Sequence, residues 1–174
     1  MTLLQHLHSR YMDTTLHKVW INEEECIATF PVWNLSGQLV GYQQYRPDKT
    51  KEPNNNPLEG RYFTRIKDQR VGVWGLESWK LSNTLFVTEG IFDACRLTNC
   101  GYSAVCVFGN SVPSSTMRWF ETIRRSRPVV AVCDSDTAGR RLNRLSNTYC
   151  AVEGYKDLGE ASEEYVKKLV KEYA

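Results

Sequence analysis

The sequence predicts an α/β protein with a four-stranded parallel sheet flanked by helices, preceded by a small mixed α+β basic subdomain. From Thr84 onward, four short apolar runs alternate with segments whose apolar residues recur at helical spacing. Before that point, two apolar runs are joined by a short turn containing glycine, which is typical of a hairpin. With 174 residues and 41% hydrophobic content, the chain is long enough to bury a core.

The first subdomain, residues 1–81, is expected to be a mixed layer. A short helix is predicted from Leu3 to Met12, followed by antiparallel strands in CIATFPVWN and QLVGYQQYR with Leu35-Ser36-Gly37 as their turn. The segment Arg46–Arg61 is rich in Pro, Asn, Lys and Gly, which predicts an exposed loop. RYFTR is a candidate further strand, and VGVWGLESWK is a connection with short helical character.

The second part, residues 82–174, carries the alternating pattern. The runs LFVTE, AVCVF, VVAVC and YCAVE predict the four parallel strands. The segments IFDACRLTNC, SSTMRWFETIRR, AGRRLNRLSN and SEEYVKKLVKEY predict the helices that follow them. Gly101 is a plausible end for the first of these helices, and Ser114 or Ser115 is a good N-cap for the second.

The charge of the chain is unevenly distributed. The net charge of +2 is too small to indicate a nucleic-acid partner by itself. However, residues 118–144 hold seven arginines against three acidic residues, whereas residues 1–81 hold ten Lys and Arg against nine Asp and Glu. The basic excess is therefore concentrated beside the third apolar run.

Composition also limits the class of protein. No segment approaches the roughly 18 consecutive apolar residues of a membrane helix, and MTLLQHLHSR lacks the features of a secretory signal. We therefore expect a cytoplasmic protein, in the host cytoplasm if it is viral, with no membrane partner. The six cysteines never occur as Cys-x-x-Cys, which favours reduced, buried packing residues over a zinc site or disulfides.

Acidic residues gather directly after the apolar runs. Glu89 follows the first run, and Asp134 and Asp136 follow the third. The carboxyl ends of parallel strands border the functional crevice of such sheets, and i, i+2 spacing in an extended segment points both aspartates to one face. Carboxylate oxygens are the ligands that Mg²⁺ prefers, so the pattern predicts a divalent-metal site. The alternative is that Glu89 and Asp136 only cap the helices that follow them.

Four stretches then carry a resemblance to a known family. VTEGIFDACRL, AVCVFGNSVP, VVAVCDSDTAGRR and EGYKDLGE resemble, in order, the motifs of a Toprim domain, the metal-binding fold of primases, topoisomerases and small nucleases. DSDTAGRR is similar to the form found in bacterial and phage DnaG-type primases. KDLGE resembles an element of phage primase-helicases, with Gly159 where asparagine is usual. GYQQYRPDKTKEPNNNPLEG and VWGL are similar to the basic subdomain that precedes Toprim in primases.

The resemblance implies a role for each matching residue. Glu89 would act as general base or metal-positioning acid, and Asp134 and Asp136 as ligands, so that these three form a catalytic site holding Mg²⁺ or Mn²⁺. The supporting residues would be Asp93, Gly90, Gly109, Gly139 and Asp157. For some of these an alternative is open: Asp93 as a solvated helix residue, Gly109 as a plain turn glycine, and Asp157, with Glu160, as a cap of the last helix.

Basic residues are candidates for binding nucleic-acid or nucleotide phosphates. One group lies in the first subdomain and the other directly after the third apolar run: Arg46, Lys49, Lys51, Arg61 and Arg65, and Arg140, Arg141 and Arg144. For the first group, a charged solvated loop is the competing interpretation. Arg124, Arg125 and Arg127 end a helix, where pairing with the helix dipole is an equal explanation.

Aromatic and histidine residues carry weaker signals. Aromatic residues are candidates for stacking on unpaired bases, although most are expected in the core: Trp20, Trp33, Trp74, Trp79 and Trp119, and tyrosines such as Tyr42 and Tyr45. His6, His8 and His17 form no ligand set with the cysteines, and we expect them at the surface.

Three functions are compatible with these motifs. The first is primase-like synthesis of RNA primers from nucleoside triphosphates on single-stranded DNA, in phage or plasmid replication. The second is a small Toprim nuclease that cleaves RNA or DNA phosphodiesters, and the third is a non-catalytic nucleic-acid or replisome adaptor. The zinc-binding and helicase modules usual in such primases have no counterpart in the sequence, so a helicase or other replication protein is an expected partner.

Overall fold

The computed structural model describes residues 1–34, 36–51, 56–67, 72–109, 112–134 and 139–174. It contains one antiparallel and one parallel sheet, each with four strands. Within these ranges, no helix has the length and apolar character needed to cross a membrane.

The antiparallel sheet forms the first half of the fold. Its strands pair in chain order and are β1 (Trp20–Asn22), β2 (Ile27–Trp33), β3 (Leu39–Tyr45) and β4 (Tyr62–Ile66). The hairpin β2–β3 and the strand at RYFTR are confirmed. Strand β1 is absent from the sequence-based prediction because three residues are too few to establish a periodic pattern.

The parallel sheet follows, with strand order β6-β5-β7-β8. Its elements are β5 (Leu85–Thr88), α2 (Ile91–Asn99), β6 (Ser103–Cys106), α3 (Ser114–Ile123), β7 (Val129–Asp134), β8 (Thr148–Val152) and α4 (Glu163–Val170). Buried side chains cover both faces of the sheet, because Val166 of α4 packs in one cluster and Phe120 of α3 in another. The predicted fold class is therefore confirmed, including the continuous burial of the strands.

One predicted helix differs in type. The segment Gly139–Leu145 is a 3₁₀ helix, although an α-helix was expected over AGRRLNRLSN. Leu142 and Leu145 are both buried, at 0% and 1% exposure. Their spacing of three residues matches the three residues per turn of a 3₁₀ helix, which places both leucines against the sheet.

Val73 and Trp74 form a two-residue bridge that joins the two sheets. The amide of Val73 donates to the Trp33 carbonyl at 3.4 Å. Trp74 and Cys106 exchange two backbone hydrogen bonds, of 3.1 and 2.9 Å. The Trp74 indole packs edge-on against Phe30, with ring centroids 6.1 Å apart. One hydrophobic cluster contains residues from both halves of the chain, so the domain boundary between residues 81 and 82 stays a prediction.

The N-terminal helix is short and anchored at its start. α1 (Leu3–Ser9) begins with a capping box in which Thr2 and Gln5 each accept a hydrogen bond from the other's amide, at 3.1 and 2.9 Å. The Glu23 carboxylate accepts further bonds from the first amides of the helix. The helix ends before the predicted Met12 because Tyr11 adopts a left-handed conformation with φ 62°.

His17 corrects an expectation. Its side chain is buried rather than exposed, with 1% of its surface accessible. The ring lies on Trp74, with centroids 4.2 Å apart, and Nδ1 is 3.3 Å from Oε2 of Glu77. The local sequence is polar, so only the tertiary contact with the indole explains the burial.

Gly41 allows β3 and β4 to approach closely. A Cβ atom at this position would lie 2.1 Å from the Arg65 carbonyl oxygen and 2.8 Å from the Ile66 Cα. We expect Gly41→Ala to lower the free energy of unfolding by about 3 kcal/mol, because the clash is with backbone that cannot rotate away. Urea unfolding measures this loss, with Gln44→Ala as the control on the same strand at under about 1 kcal/mol. Equal losses in the two variants would contradict the packing argument.

Candidate functional site

A cleft of about 350 Å³ lies between the antiparallel sheet and the carboxyl ends of the parallel strands. The lining residues from the first half of the chain are Arg10, Gln43, Lys51, Tyr62 and Thr64. Those from the second half are Glu89, Gly90, Ile91, Phe92, Asp93, Phe108, Gly109, Asp134 and Asp157. Acidic residues and two basic side chains, Arg10 and Lys51, therefore line the same cleft.

The topology explains why the acids meet. Glu89 follows β5 directly, and Asp134 is the last residue of β7. These two strands are paired in parallel, so their carboxyl ends lie side by side. Asp93 stands in the first turn of α2, and Asp157 precedes a short 3₁₀ helix at Leu158–Glu160. Four of the acids selected from the sequence thus line one cleft.

Asp93 lies in an electrostatically unfavourable place for a carboxylate. Desolvation raises its pKa to about 7, and the nearby charges of Asp157 and Asp134 act in the same direction. The amide of Gly159 opposes this by donating a 3.0 Å hydrogen bond to Oδ1 of Asp93. The crowding of carboxyl groups is what a bound cation would relieve.

Asp157 is aimed at the same region. Its Oδ1 atom is buried and has no hydrogen-bond partner among the described residues. The alternative that Asp157 or Glu160 caps the last helix is wrong, because Ser162 is the N-cap of α4 and accepts from the Tyr165 amide at 3.2 Å. Glu160 is exposed.

The two glycines that border the acids serve different purposes. A Cβ atom on Gly90 would lie 3.0 Å from Oδ2 of Asp93, so the missing side chain leaves room for that carboxylate. Gly109 has a φ of 139° and follows Phe108, whose φ is 62°. These left-handed conformations turn the chain sharply at the end of β6, beside the cleft.

Part of the predicted site lies outside the described residues. Asp136 is in the segment 135–138, and Arg140 is placed only as backbone at the start of the 3₁₀ helix that begins with Gly139. Among the described residues, no group of three or more His, Cys, Asp or Glu side chains is arranged to hold a metal ion. The metal-ligand roles of Glu89, Asp134 and Asp136 therefore stay predictions.

Arg10 is a cleft residue that the sequence did not reveal. Its guanidinium carbon lies 4.3 Å from the centroid of the Phe92 ring, and a Cβ on Gly159 would be 3.1 Å from its NH2. The nearby Arg10 charge lowers the pKa values of Asp93 and Tyr45, although desolvation raises both overall. A single arginine after a short helix gives no sequence signal, because its proximity to the acids arises only from the tertiary fold.

The predicted basic residues separate into several locations. Lys51 lines the cleft. Arg61 donates from Nε to the Lys49 carbonyl at 2.8 Å, and Arg46 donates to the Gln44 side chain at 2.9 Å, so these two arginines also organise the β3–β4 connection. Arg65 is exposed on β4.

The arginines of the second half are also divided. Arg141 and Arg144 are exposed on the 3₁₀ helix after β7. Arg124 donates to the Ser146 carbonyl at 3.0 Å, and Arg127 donates to carbonyls of Asn83, Trp79 and Ser82. Both side chains are thus bonded to neighbouring loops rather than only to the end of their own helix.

Strand register decides which tyrosines reach the cleft. Tyr45 is buried, with 3% exposure, so it does not offer a free face to a base. Its cross-strand partner Tyr62 lines the cleft, with ring centroids 5.1 Å apart. Burial raises the pKa of Tyr62, which keeps its phenol protonated. Tyr42 lies on the opposite face of the sheet.

Solved structures share this fold. The primase fragment of the bacteriophage T7 primase-helicase superposes with a TM-score of 0.66 at 18% identity, covering 91% of this chain and 68% of that one. The RNA polymerase domain of Mycobacterium tuberculosis DnaG, in complex with double-stranded DNA, gives 0.62 at 13% identity, with 97% and 60% covered. The chain has the fold of the DnaG primase catalytic core.

Further DnaG structures support the same fold. A DnaG catalytic domain bound to single-stranded DNA gives a TM-score of 0.61 at 18% identity, covering 97% of this chain and 58% of that one. The chain spans little more than half the length of a DnaG catalytic core, with 53% of it covered. No protein-family model matches the chain, and neither does any curated protein sequence.

Proposed function

We propose that the chain catalyses metal-dependent nucleotidyl transfer on nucleic acid. The observation that carries the proposal is the cleft, where the acids at the ends of β5 and β7 share a space of about 350 Å³ with Arg10 and Lys51. Transfer of a nucleotidyl group requires negative charge to be neutralised on both attacking and leaving oxygens. A cleft lined by both carboxylates and cationic side chains meets that requirement.

The acidic residues of the cleft would hold a divalent cation. Glu89, Asp134 and Asp136 would be the ligands of Mg²⁺ or Mn²⁺, because hard cations prefer carboxylate oxygens. Desolvation is the main cause of the raised pKa of Asp93, and the charges of Asp157 and Asp134 add to it. When bound, such a cation activates the attacking oxygen and stabilises the leaving group. Asp93 would act from behind this set, since its Oδ1 accepts from the Gly159 amide and thereby fixes the turn that carries Asp157.

The basic and aromatic side chains of the cleft would bind the nucleotide. Arg10 and Lys51 would pair with triphosphate oxygens, and Arg10 is held in place by the face of Phe92. The Tyr62 ring would stack on the base or sugar, since its neighbour Tyr45 supports it from the same face of the sheet. The substrates that best match these groups are nucleoside triphosphates joined on single-stranded DNA, as in primer synthesis.

We expect this activity to serve phage or plasmid DNA replication together with a helicase or another replication protein. The same cations and carboxylates would also suit hydrolysis of RNA or DNA, because the reaction differs mainly in the attacking group. Three further cleft residues favour synthesis, because they offer a nucleotide additional side chains to bind: Tyr62, Gln43 and Thr64. The side chains of Gln43 and Thr64 are joined by a 2.8 Å hydrogen bond.

One gel separates synthesis from cleavage. The purified chain is incubated with Mg²⁺ or Mn²⁺ and labelled ribonucleotides on unlabelled single-stranded DNA, and in parallel with end-labelled DNA and RNA. New short labelled oligomers support the primase proposal. Shortened labelled strands without synthesis would replace it by the nuclease. Binding of DNA without either product would leave a replisome adaptor.

A variant of Arg10 tests whether the basic side chains of the cleft bind the nucleotide. We expect Arg10→Gln to raise the KM for nucleoside triphosphate about tenfold to 100-fold, because a charge-assisted contact to a phosphate is lost. Steady-state incorporation at varied nucleotide concentration measures this. Arg125→Gln is the control, since Arg125 is exposed at the end of α3 and is not among the cleft-lining residues. Equal KM values in both variants would remove Arg10 from the nucleotide site.

A second surface suits unpaired nucleotides outside the cleft. We use the name outer face for the side of the antiparallel sheet formed by the rows Trp20-Thr29-Gln44-Phe63 and Pro31-Tyr42-Arg65. The rings of Tyr42 and Phe63 lie 6.1 Å apart, and Trp20 is 53% exposed. Strands β3 and β4 carry no acidic residue, while Arg65 is exposed beside Tyr42. Aromatic rings with arginines are typical of single-strand binding.

Trp20 tests the outer face. We expect Trp20→Ala to weaken binding of a single-stranded oligonucleotide about fivefold to 20-fold, because stacking of one base is lost. Fluorescence polarisation at fixed salt measures the Kd. Leu39→Ala is the matched control, because Leu39 is 56% exposed on the same sheet but has no ring. If both variants bind as the wild type does, single strands bind elsewhere.

A further inference from the structure

One buried thiol contacts two turns that line the cleft. Cys106 ends β6 and is 0% exposed. Its Sγ donates to the Glu89 carbonyl at 3.2 Å and accepts from the Phe108 amide at 3.4 Å. Glu89 begins the turn after β5, and Phe108 lies in the turn after β6. A single side chain therefore joins the turn of an acidic residue to the turn of Gly109.

The contact lies where the strand ladder stops. The pairing of β5 with β6 ends at Thr88 and Cys106, followed by the bond from the Val107 amide to the Thr88 carbonyl at 3.0 Å. Beyond it, Phe108 leaves the strand conformation with a φ of 62°. The thiol links the two chains just past this point. An apolar side chain would remove both of these part-buried hydrogen bonds, which is costly.

A thiol can fill both roles of this contact, because its S–H donates while its sulfur accepts. Thr88 reinforces the same turn, because its hydroxyl donates to the Gly90 carbonyl at 2.8 Å.

We propose that Cys106 is a positioning residue whose thiol sets the spacing between the Glu89 turn and the Phe108–Gly109 turn. The effect on catalysis rests on the proposed function, whereas the contact between the turns does not. The sequence suggested only a reduced packing residue at this position. The structure gives the thiol a directional task that a packing residue of equal size would not perform.

Three variants separate positioning from packing. Cys106→Ala removes both hydrogen bonds, Cys106→Ser keeps a donor and an acceptor, and Cys150→Ala removes a buried thiol (4% exposed) from β8 of the same sheet. Hydrogen–deuterium exchange is followed on peptides covering residues 88–92 and 106–109. We expect about fivefold to tenfold faster exchange there in Cys106→Ala only. Exchange that is equal in Cys106→Ala and Cys150→Ala would overturn the proposal.

A second measurement connects the turns to Glu89. We expect the Mn²⁺ affinity in isothermal titration, and kcat for nucleotide incorporation, to fall about fivefold to tenfold in Cys106→Ala. Both should recover to within about threefold of wild type in Cys106→Ser. Faster exchange with unchanged Mn²⁺ affinity would refute the link to Glu89. If wild type binds no Mn²⁺ and makes no product, the proposed function fails, and the exchange comparison still decides whether the thiol holds the two turns.

Discussion

Glu89→Gln is expected to reduce nucleotide incorporation by about 1000-fold or more while leaving the fold intact. Glu89 is half-buried at the end of β5 and lines the cleft together with Asp134. The amide keeps the size and shape of the side chain but removes the negative charge that a divalent cation requires. The loss should therefore appear in kcat rather than in the KM for the nucleotide.

The control for this variant is an exposed glutamate outside the cleft. Glu121 lies on α3 and is not among the cleft-lining residues, so Glu121→Gln should keep incorporation within about twofold of wild type. Thermal unfolding of all three proteins checks that the fold is retained. Substantial activity in Glu89→Gln, with an unchanged midpoint, would exclude Glu89 from the reaction.

Trp74→Ala is expected to lower the free energy of unfolding by about 3–5 kcal/mol. The indole is 1% exposed and contacts His17 and Phe30, while its backbone pairs with Cys106. Removing it opens a cavity where the two sheets meet, so the cleft should lose its geometry together with stability. Urea denaturation with linear extrapolation measures the change.

Two further variants make the Trp74 prediction specific. Trp74→Phe keeps an aromatic ring and removes an indole N–H that is buried without a hydrogen-bond partner among the described residues, so less than half of the loss is expected. Trp119→Ala, at a half-buried position on α3, should cost less than Trp74→Ala. A loss of under about 1 kcal/mol in Trp74→Ala would show that the bridge does not hold the sheets together.

The parallel half of the fold can be predicted from the sequence because its strands are buried on both faces. Their continuous apolar runs are distinct from the helical spacing between them, so all four strands were found. The acids followed from the same pattern, because the carboxyl ends of parallel strands meet at one edge. Glu89 and Asp134 line one cleft for this reason.

The positions of the basic and aromatic residues in the cleft depend on contacts distant in sequence. Arg10 reaches the acids from the end of α1, and Tyr62 reaches the cleft from β4. Tyr42 and Tyr45 look equivalent in sequence, yet they lie on opposite faces of β3 because side chains alternate along a strand. The burial of His17 likewise arises from Trp74, 57 positions later in the numbering of the chain.

Mn²⁺ binding most directly tests the divalent-metal site proposed at the carboxyl edge of the parallel sheet. Isothermal titration compares wild type with Asp134→Asn, which differs by one carboxylate at the end of β7. We expect saturable binding by the wild type and an affinity at least about tenfold lower in the variant. Equal affinities, or no binding by the wild type, would contradict a metal centre at this edge.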